Sequence, residues 1–125
     1  MRVGSQELAL LTFIADRGGA TVGEIAEGFG EARGLSRTTI LTMMERLRKK
    51  HRLTRRRVGG VFRYTSPHSR GDVLREAVES FIERSLGGSV SPFVAYLADA
   101  TDVTDEELAE LQRAVASLKQ QRKQR

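Results

Sequence analysis

The run Ser36-Arg37-Thr38-Thr39-Ile40-Leu41-Thr42-Met43-Met44-Glu45-Arg46-Leu47-Arg48-Lys49-Lys50 decides how the rest of this 125-residue chain is read. Ser36 is a good N-cap, so the run predicts a helix ending near residue 50. Ile40, Met43, Met44 and Leu47 fall at i, i+3, i+4 and i+7. At about 100° per residue they gather on one side as a core stripe. The opposite side then carries Thr38, Thr42, Glu45 and Lys49, flanked by Thr39, Leu41 and Arg46. Threonine is a mediocre helix former, so three within five positions need a reason beyond helix formation. Its hydroxyl can donate or accept, and its methyl can pack on a thymine methyl.

The charge around this helix is one-sided. Residues 33–63 hold eleven Lys and Arg against Glu45 alone, a net +10, while the whole chain is only +5. Such a block repels itself unless a polyanion neutralises it. The plainer reading is a solvated basic face. Glu45 has two readings: an i,i+4 pair with Lys49, which is favoured, or an acceptor for a cytosine amino group.

On the N-terminal side, a helix is expected over residues 6–17 with Ser5 as its cap, stopped by Gly18-Gly19. Leu8, Leu11 and Ile14, helped by Leu10 and Phe13, form its stripe. Thr21-Val22-Gly23-Glu24 is a capping box that opens a second helix, with Val22, Ile25, Ala26 and Phe29 inward and Gly28 and Gly30 framing its end. A polar connection over residues 31–35 is expected to follow. On the C-terminal side, residues 53–58 and 61–66 read as strands, with Gly59-Gly60 as a hairpin turn. Phe62 and Tyr64 alternate with Arg63 and Thr65, giving one apolar and one polar face.

Further along, Ser69 caps a helix over residues 70–86 whose stripe is Leu74, Val78, Phe81 and Ile82. Gly87-Gly88 breaks it, and a short apolar helix over residues 91–98 carries Phe93, Val94, Tyr96 and Leu97. Thr104-Asp105-Glu106-Glu107 is a second capping box, opening a helix with Leu108, Leu111, Val115 and Leu118 at 3-4-3 spacing. Residues 119–125 are polar and basic and are expected to fray.

Three helices, a hairpin and then more helices make a mainly α chain, ordered as a winged helix-turn-helix over residues 1–68. Residues 69–125 follow as a helical region too poor in core to stand alone; its stripe could pack within one chain or across a dimer, and packing between two subunits is favoured. In such a fold the third helix enters the major groove. Arg37, Thr38, Thr39 and Thr42 would meet bases or phosphates near its N-terminus, and Arg46 and Lys49 the backbone. Arg55, Arg57 and Arg63 would supply a basic wing that grips phosphate. Phe81, Phe93, Leu97, Leu108, Leu111, Val115 and Leu118 would join the subunits. The alternative is an interaction adaptor whose basic face docks an acidic partner.

The composition excludes other chemistries. There is no cysteine, hence no disulfide or thiolate centre, and His51 and His68 stand apart. No nucleophile–base pair, phosphate loop or ligand cluster is evident, so neither an enzyme nor a cofactor is expected. No apolar run approaches the ~20 residues of a membrane span. Met1-Arg2-Val3-Gly4-Ser5 lacks a signal-peptide pattern, making the cytoplasm the expected location.

The run from Thr38 to Lys50 closely resembles the recognition helix of the penicillinase-repressor family. Gly59-Gly60-Val61-Phe62-Arg63-Tyr64-Thr65-Ser66-Pro67 resembles that family's wing, and Gly87-Gly88-Ser89 and Asp105-Glu106-Glu107-Leu108 resemble later segments. The resemblance implies a dimeric repressor that binds a double-stranded operator, with Thr38, Thr39, Thr42 and Arg46 as the main contacts. It also implies a sensor protease as partner, although the Asn-Phe bond cut in the best-known members is matched here by Tyr96-Leu97. Two further differences stand out. His51 occupies the position where the family has Gly after the Lys-Lys pair, and Val61 replaces an Arg at the wing tip. The copper-responsive branch uses C-terminal cysteines, which are absent here.

Overall fold

A computed structural model describes residues 4–124; Met1–Val3, part of the segment read for a signal peptide, and Arg125 lie outside the described residues. Two compact units divide between Ser85 and Leu86. The first begins with α1 (Ser5–Arg17), which Gly18 closes in the left-handed conformation. Gly4 takes the N-cap place without a side-chain bond, so Ser5 is the first helical residue and not the cap. A two-residue strand β1 (Ala20–Thr21) follows, then α2 (Val22–Ile25) behind the expected capping box. Thr21 Oγ1 accepts from Glu24 N at 3.2 Å, and Glu24 Oε1 accepts from Thr21 N at 2.9 Å. These bonds, the backbone one foremost, hold the Glu24 carboxyl below its ordinary pKa.

The chain does not open into a loop after Gly30. It widens into a π-turn at Ala26–Gly30, tightens into a 3₁₀ turn at Glu31–Arg33, and stops at left-handed Gly34. Next come α3 (Arg37–Lys49) and the hairpin β2 (Thr54–Val58) and β3 (Val61–Thr65). Gly59 and Gly60 have φ of 60° and 82°, the pair of positive values that a type I′ turn needs. The sheet order is β1-β3-β2, antiparallel throughout, with Ala20 opposite Tyr64 and Arg57 opposite Phe62.

The core lies inside this unit. Leu10, Leu11 and Ile14 of α1 meet Ile25, Phe29, the four-residue stripe of α3, Leu53 and Tyr64. Helix α4 (Arg70–Ser85), capped by Ser69, adds Val73 to the same core. The compact unit therefore runs to Ser85, where the sequence division falls at His68. Arg52 Nη1 also reaches both oxygens of Glu76, at 2.6 and 2.7 Å, fastening α4 beside the end of α3. The expected stripe of α4 does not form the packing face, since Leu74, Val78 and Phe81 are exposed.

The second unit holds α5 (Ser91–Asp99) and α6 (Asp105–Lys123). Pro92 sits in the first turn of α5, where its missing N–H costs nothing. The Thr104/Glu107 capping box is present, and α6 continues helically to Lys123 where fraying from residue 119 was expected. Neither helix has a buried residue.

Candidate nucleic-acid interface

The outward face of α3 is built from its first turn. Ser36 Oγ accepts from Thr39 N at 3.1 Å and donates to Thr39 Oγ1 at 3.0 Å, which starts the helix cleanly. Thr42 Oγ1 donates to Thr38 O at 3.0 Å. That bond occupies the hydroxyl proton and leaves the oxygen's lone pairs and the methyl outward. Arg37, Thr38, Thr39, Thr42, Arg46 and Lys49 are all exposed, on the side opposite buried Ile40, Met43, Met44 and Leu47. Arg46 lies 3.9 Å from Glu7 but keeps over half of its side chain in solvent. Leu41 lies on this face too, 43% exposed. Helical spacing alone gives it no role, yet an exposed branched apolar group among threonines suits a thymine methyl.

Glu45 departs from expectation. It does not pair with Lys49. Its carboxylate instead accepts from Arg48, three residues on, from Arg55 and from the Tyr64 hydroxyl. The Arg48 bond above all, with help from Tyr64, holds the Glu45 carboxyl at a pKa of about 2, against an ordinary 4.5. Burial and the adjacent carboxylate push the Tyr64 phenol up.

The wing divides its arginines between two faces. Arg55 and Arg57 stack over the Phe62 ring, at 4.1 and 4.8 Å from its centroid. Stacking orders long side chains, and the charged end of Arg57 stays available to an anion while that of Arg55 is held by Glu45. Arg63 lies on the other face. It donates to Gly19 O at 3.0 Å and to Glu24 Oε1 at 3.3 Å, so it braces the wing against the start of α2. Arg56, opposite Arg63 in the ladder, is exposed. Thus the named polar residues of α3 and Arg57 on the wing are exposed, whereas Arg55 and Arg63 are already engaged within the chain. Two-residue periodicity separates Arg63 from Arg55 and Arg57, but their partners lie up to 44 residues away in sequence.

His51 is a helix-end residue. Its φ is +62°, and Arg52 N donates to Leu47 O at 2.8 Å while His51 N donates to Arg48 O at 3.0 Å. That is a Schellman motif with His where Gly is easiest. Among the described residues no group of three or more His, Asp or Glu is placed to hold a metal ion. Among the same residues no helix is long and apolar enough to cross a membrane. The residues expected to join subunits lie as follows. Leu108, Leu111, Val115 and Leu118 are 36–60% exposed, Phe93 and Leu97 are half-buried, and Phe81 on α4 is exposed. Tyr96-Leu97 lies inside α5.

A three-helix unit with a basic hairpin beside an exposed third helix defines a winged-helix DNA-binding regulator. Among solved structures the fold is similar to a MarR family protein from Bacillus stearothermophilus (TM-score 0.52, 19% identity, 98% of this chain and 77% of that one). It is similar also to a mutant of ZitR from Lactococcus lactis (0.51, 18%, 97% and 76%) and to YusO from Bacillus subtilis (0.50, 23%, 94% and 75%). The sequence narrows the class further. The profile of the penicillinase repressor family matches residues 3–117, and the chain belongs to that family. The penicillinase repressor of Bacillus licheniformis is 25% identical over 123 residues, covering 98% of this chain and 96% of the relative. The chain is accordingly a DNA-binding transcriptional repressor by family, not an enzyme.

Proposed function

We propose that the chain acts as a homodimeric, sequence-specific repressor in the cytoplasm, with α3 in the major groove and the wing on the flanking backbone. The observation that carries this reading is the fully outward face of α3, threonines first and cations after, next to Arg57 on the wing. Thr38, Thr39, Leu41 and Thr42 meet base edges and thymine methyls. Arg37, Arg46, Lys49 and Arg57 meet phosphates and fix the register. Two subunits joined through α5 and α6 read half-sites one helical turn, or a multiple of it, apart. The exposed stripe Leu108/Leu111/Val115/Leu118 supports that pairing. Helical backbone at Tyr96-Leu97 offers a protease no extended segment, so proteolytic release is not part of this reading.

Selection of bound duplexes from a random pool, followed by footprinting, tests it. Thr42→Ala should relax base preference at one position per half-site, by about 1–3 kcal/mol of discrimination. Arg57→Ala should weaken every sequence alike and lower the salt slope by roughly one unit. Equal behaviour of the two variants would refute the division into reading and gripping groups. Capture of an acidic protein with indifference to duplex DNA would replace the repressor with an adaptor.

A further inference from the structure

Glu45 is the single carboxylate inside the net +10 stretch, and it spends its charge inside the protein. Donors from three places converge on it. Arg48 comes from its own helix, at 3.1 Å through Nε and 2.9 Å through Nη2. Arg55 comes from β2 at 3.0 Å, and the Tyr64 hydroxyl from β3 at 2.6 Å. Tyr64 is 1% exposed and lies on the central strand, so the cluster is rooted in the core. The side chains of Glu45, Arg48 and Arg55 are each only about a quarter to a third exposed. Both arginines adjoin the outward face of α3, yet they share one negative charge and turn toward it.

We propose that Glu45 is a positioning residue that withholds Arg48 and Arg55 from the DNA backbone and locks the wing to α3. This rests on the DNA-binding reading above. An arginine free to neutralise phosphate adds affinity for any sequence. A wing free to swing loses the fixed spacing between base-reading and phosphate-gripping groups, and with it the advantage of the operator. One carboxylate prevents both. The backbone grip is left to Arg46, Lys49 and Arg57, and Arg55 belongs to the frame of the site rather than to its contacts.

The test uses the full chain, a random-sequence duplex and an operator selected as above, over a range of NaCl concentrations. Glu45→Gln keeps an acceptor for Tyr64 and removes the charge. On the random duplex its slope of log affinity against log salt should steepen by about 1–2 units, as up to two arginines are released. The ratio of operator to random affinity should fall by roughly tenfold. Adding Arg48→Gln and Arg55→Gln to the same chain should return the slope to its wild-type value while the ratio stays low. A slope that does not steepen, or a ratio that holds, overturns the proposal and leaves an ordinary internal ion pair. Should Glu45→Gln fail to fold by circular dichroism, the single Arg48→Gln and Arg55→Gln variants decide. Each should leave the wild-type slope unchanged, and a slope shallower by about one unit in either overturns the proposal. A wild-type protein that binds neither duplex at low salt would instead defeat the DNA-binding reading itself.

Discussion

The two compact units solve the problem of burial in opposite ways. The first, ending at Ser85, seals a core with Leu10, Leu11, Ile14, Ile40, Met44 and Leu47 at 0% exposure. The second, from Leu86 on, has regular helices and good caps but no buried residue in either helix. Its Val94, Val115 and Leu118 are half exposed or more, and Leu108 is 49% exposed. Capping satisfies the helix ends, yet only buried apolar surface outweighs the entropy of ordering the chain. The first unit can therefore stand on its own packing. The second leaves its apolar stripe exposed, and the homodimer proposed above would cover it.

Two substitutions sharpen that contrast. Leu47→Ala removes a fully buried side chain and should cost about 2–5 kcal/mol of stability in the first unit. Thermal unfolding followed by circular dichroism should show a lower midpoint at every protein concentration. Leu111→Asp places a carboxylate in the apolar stripe of α6 and should act through association instead. The expected loss is about 2–3 kcal/mol of dimer affinity, an association roughly 30- to 150-fold weaker by sedimentation equilibrium. The first unit should melt as before when the chain is monomeric. If Leu111→Asp left association untouched, the stripe would be a solvent face and the two units would differ only in size.

Much of the local structure is legible in the sequence, for a physical reason. Periods of 3.6 and 2, capping boxes and a Gly-Gly turn are local signals, and α3, the hairpin, Ser69 and Thr104 express local chemistry. The unread parts depend on distant partners. Strand β1 is two residues long and exists because β3 lies beside it. Helix spacing pairs Glu45 with Lys49, but a buried tyrosine 19 residues away and an arginine on β2 compete for it and win. Arg63 reads as a wing contact until Gly19 and Glu24 are seen to hold it. On α4, periodicity found a real stripe but could not say which face docks on α1, and Val73 does so rather than Leu74.

Acid should also separate the units, more weakly. The folded Glu45 carboxyl titrates near 2 and the unfolded one near 4.5. The folded value is the lower, so its stabilisation is complete above about pH 4.5 and fades as the pH falls toward 2. Screening of a partly exposed cluster limits the contribution to the order of 1–2 kcal/mol. Unfolding of the first unit, followed by urea titration between pH 6 and about 2.5, should lose this increment in the wild type and keep less pH dependence in Glu45→Gln. Glu24 in the same unit is also held low, chiefly by a backbone N–H donor, so a shallower slope should remain in the variant. A slope identical in both proteins would mean that the three-donor cluster does not survive in solution.

The smallest expected effect is at the end of α3. His51 holds φ of +62° to complete the Schellman bonds to Leu47 and Arg48, a conformation that costs a residue with a Cβ about 1 kcal/mol. His51→Gly removes that strain but gains backbone freedom in the unfolded chain, which returns part of it. The net should be a stabilisation of roughly 0.5 kcal/mol, read as a small rise in the unfolding midpoint of the first unit. His51→Ala should do no better than the wild type, because alanine keeps the Cβ. If alanine stabilised as much as glycine, the cost at this site would lie in the imidazole and not in the backbone, and the helix end would have to be relaxed by some other contact. The distinction bears on the interface itself, since the turn at His51 sets where α3 stops and where Arg52 leaves it to fasten α4 through Glu76.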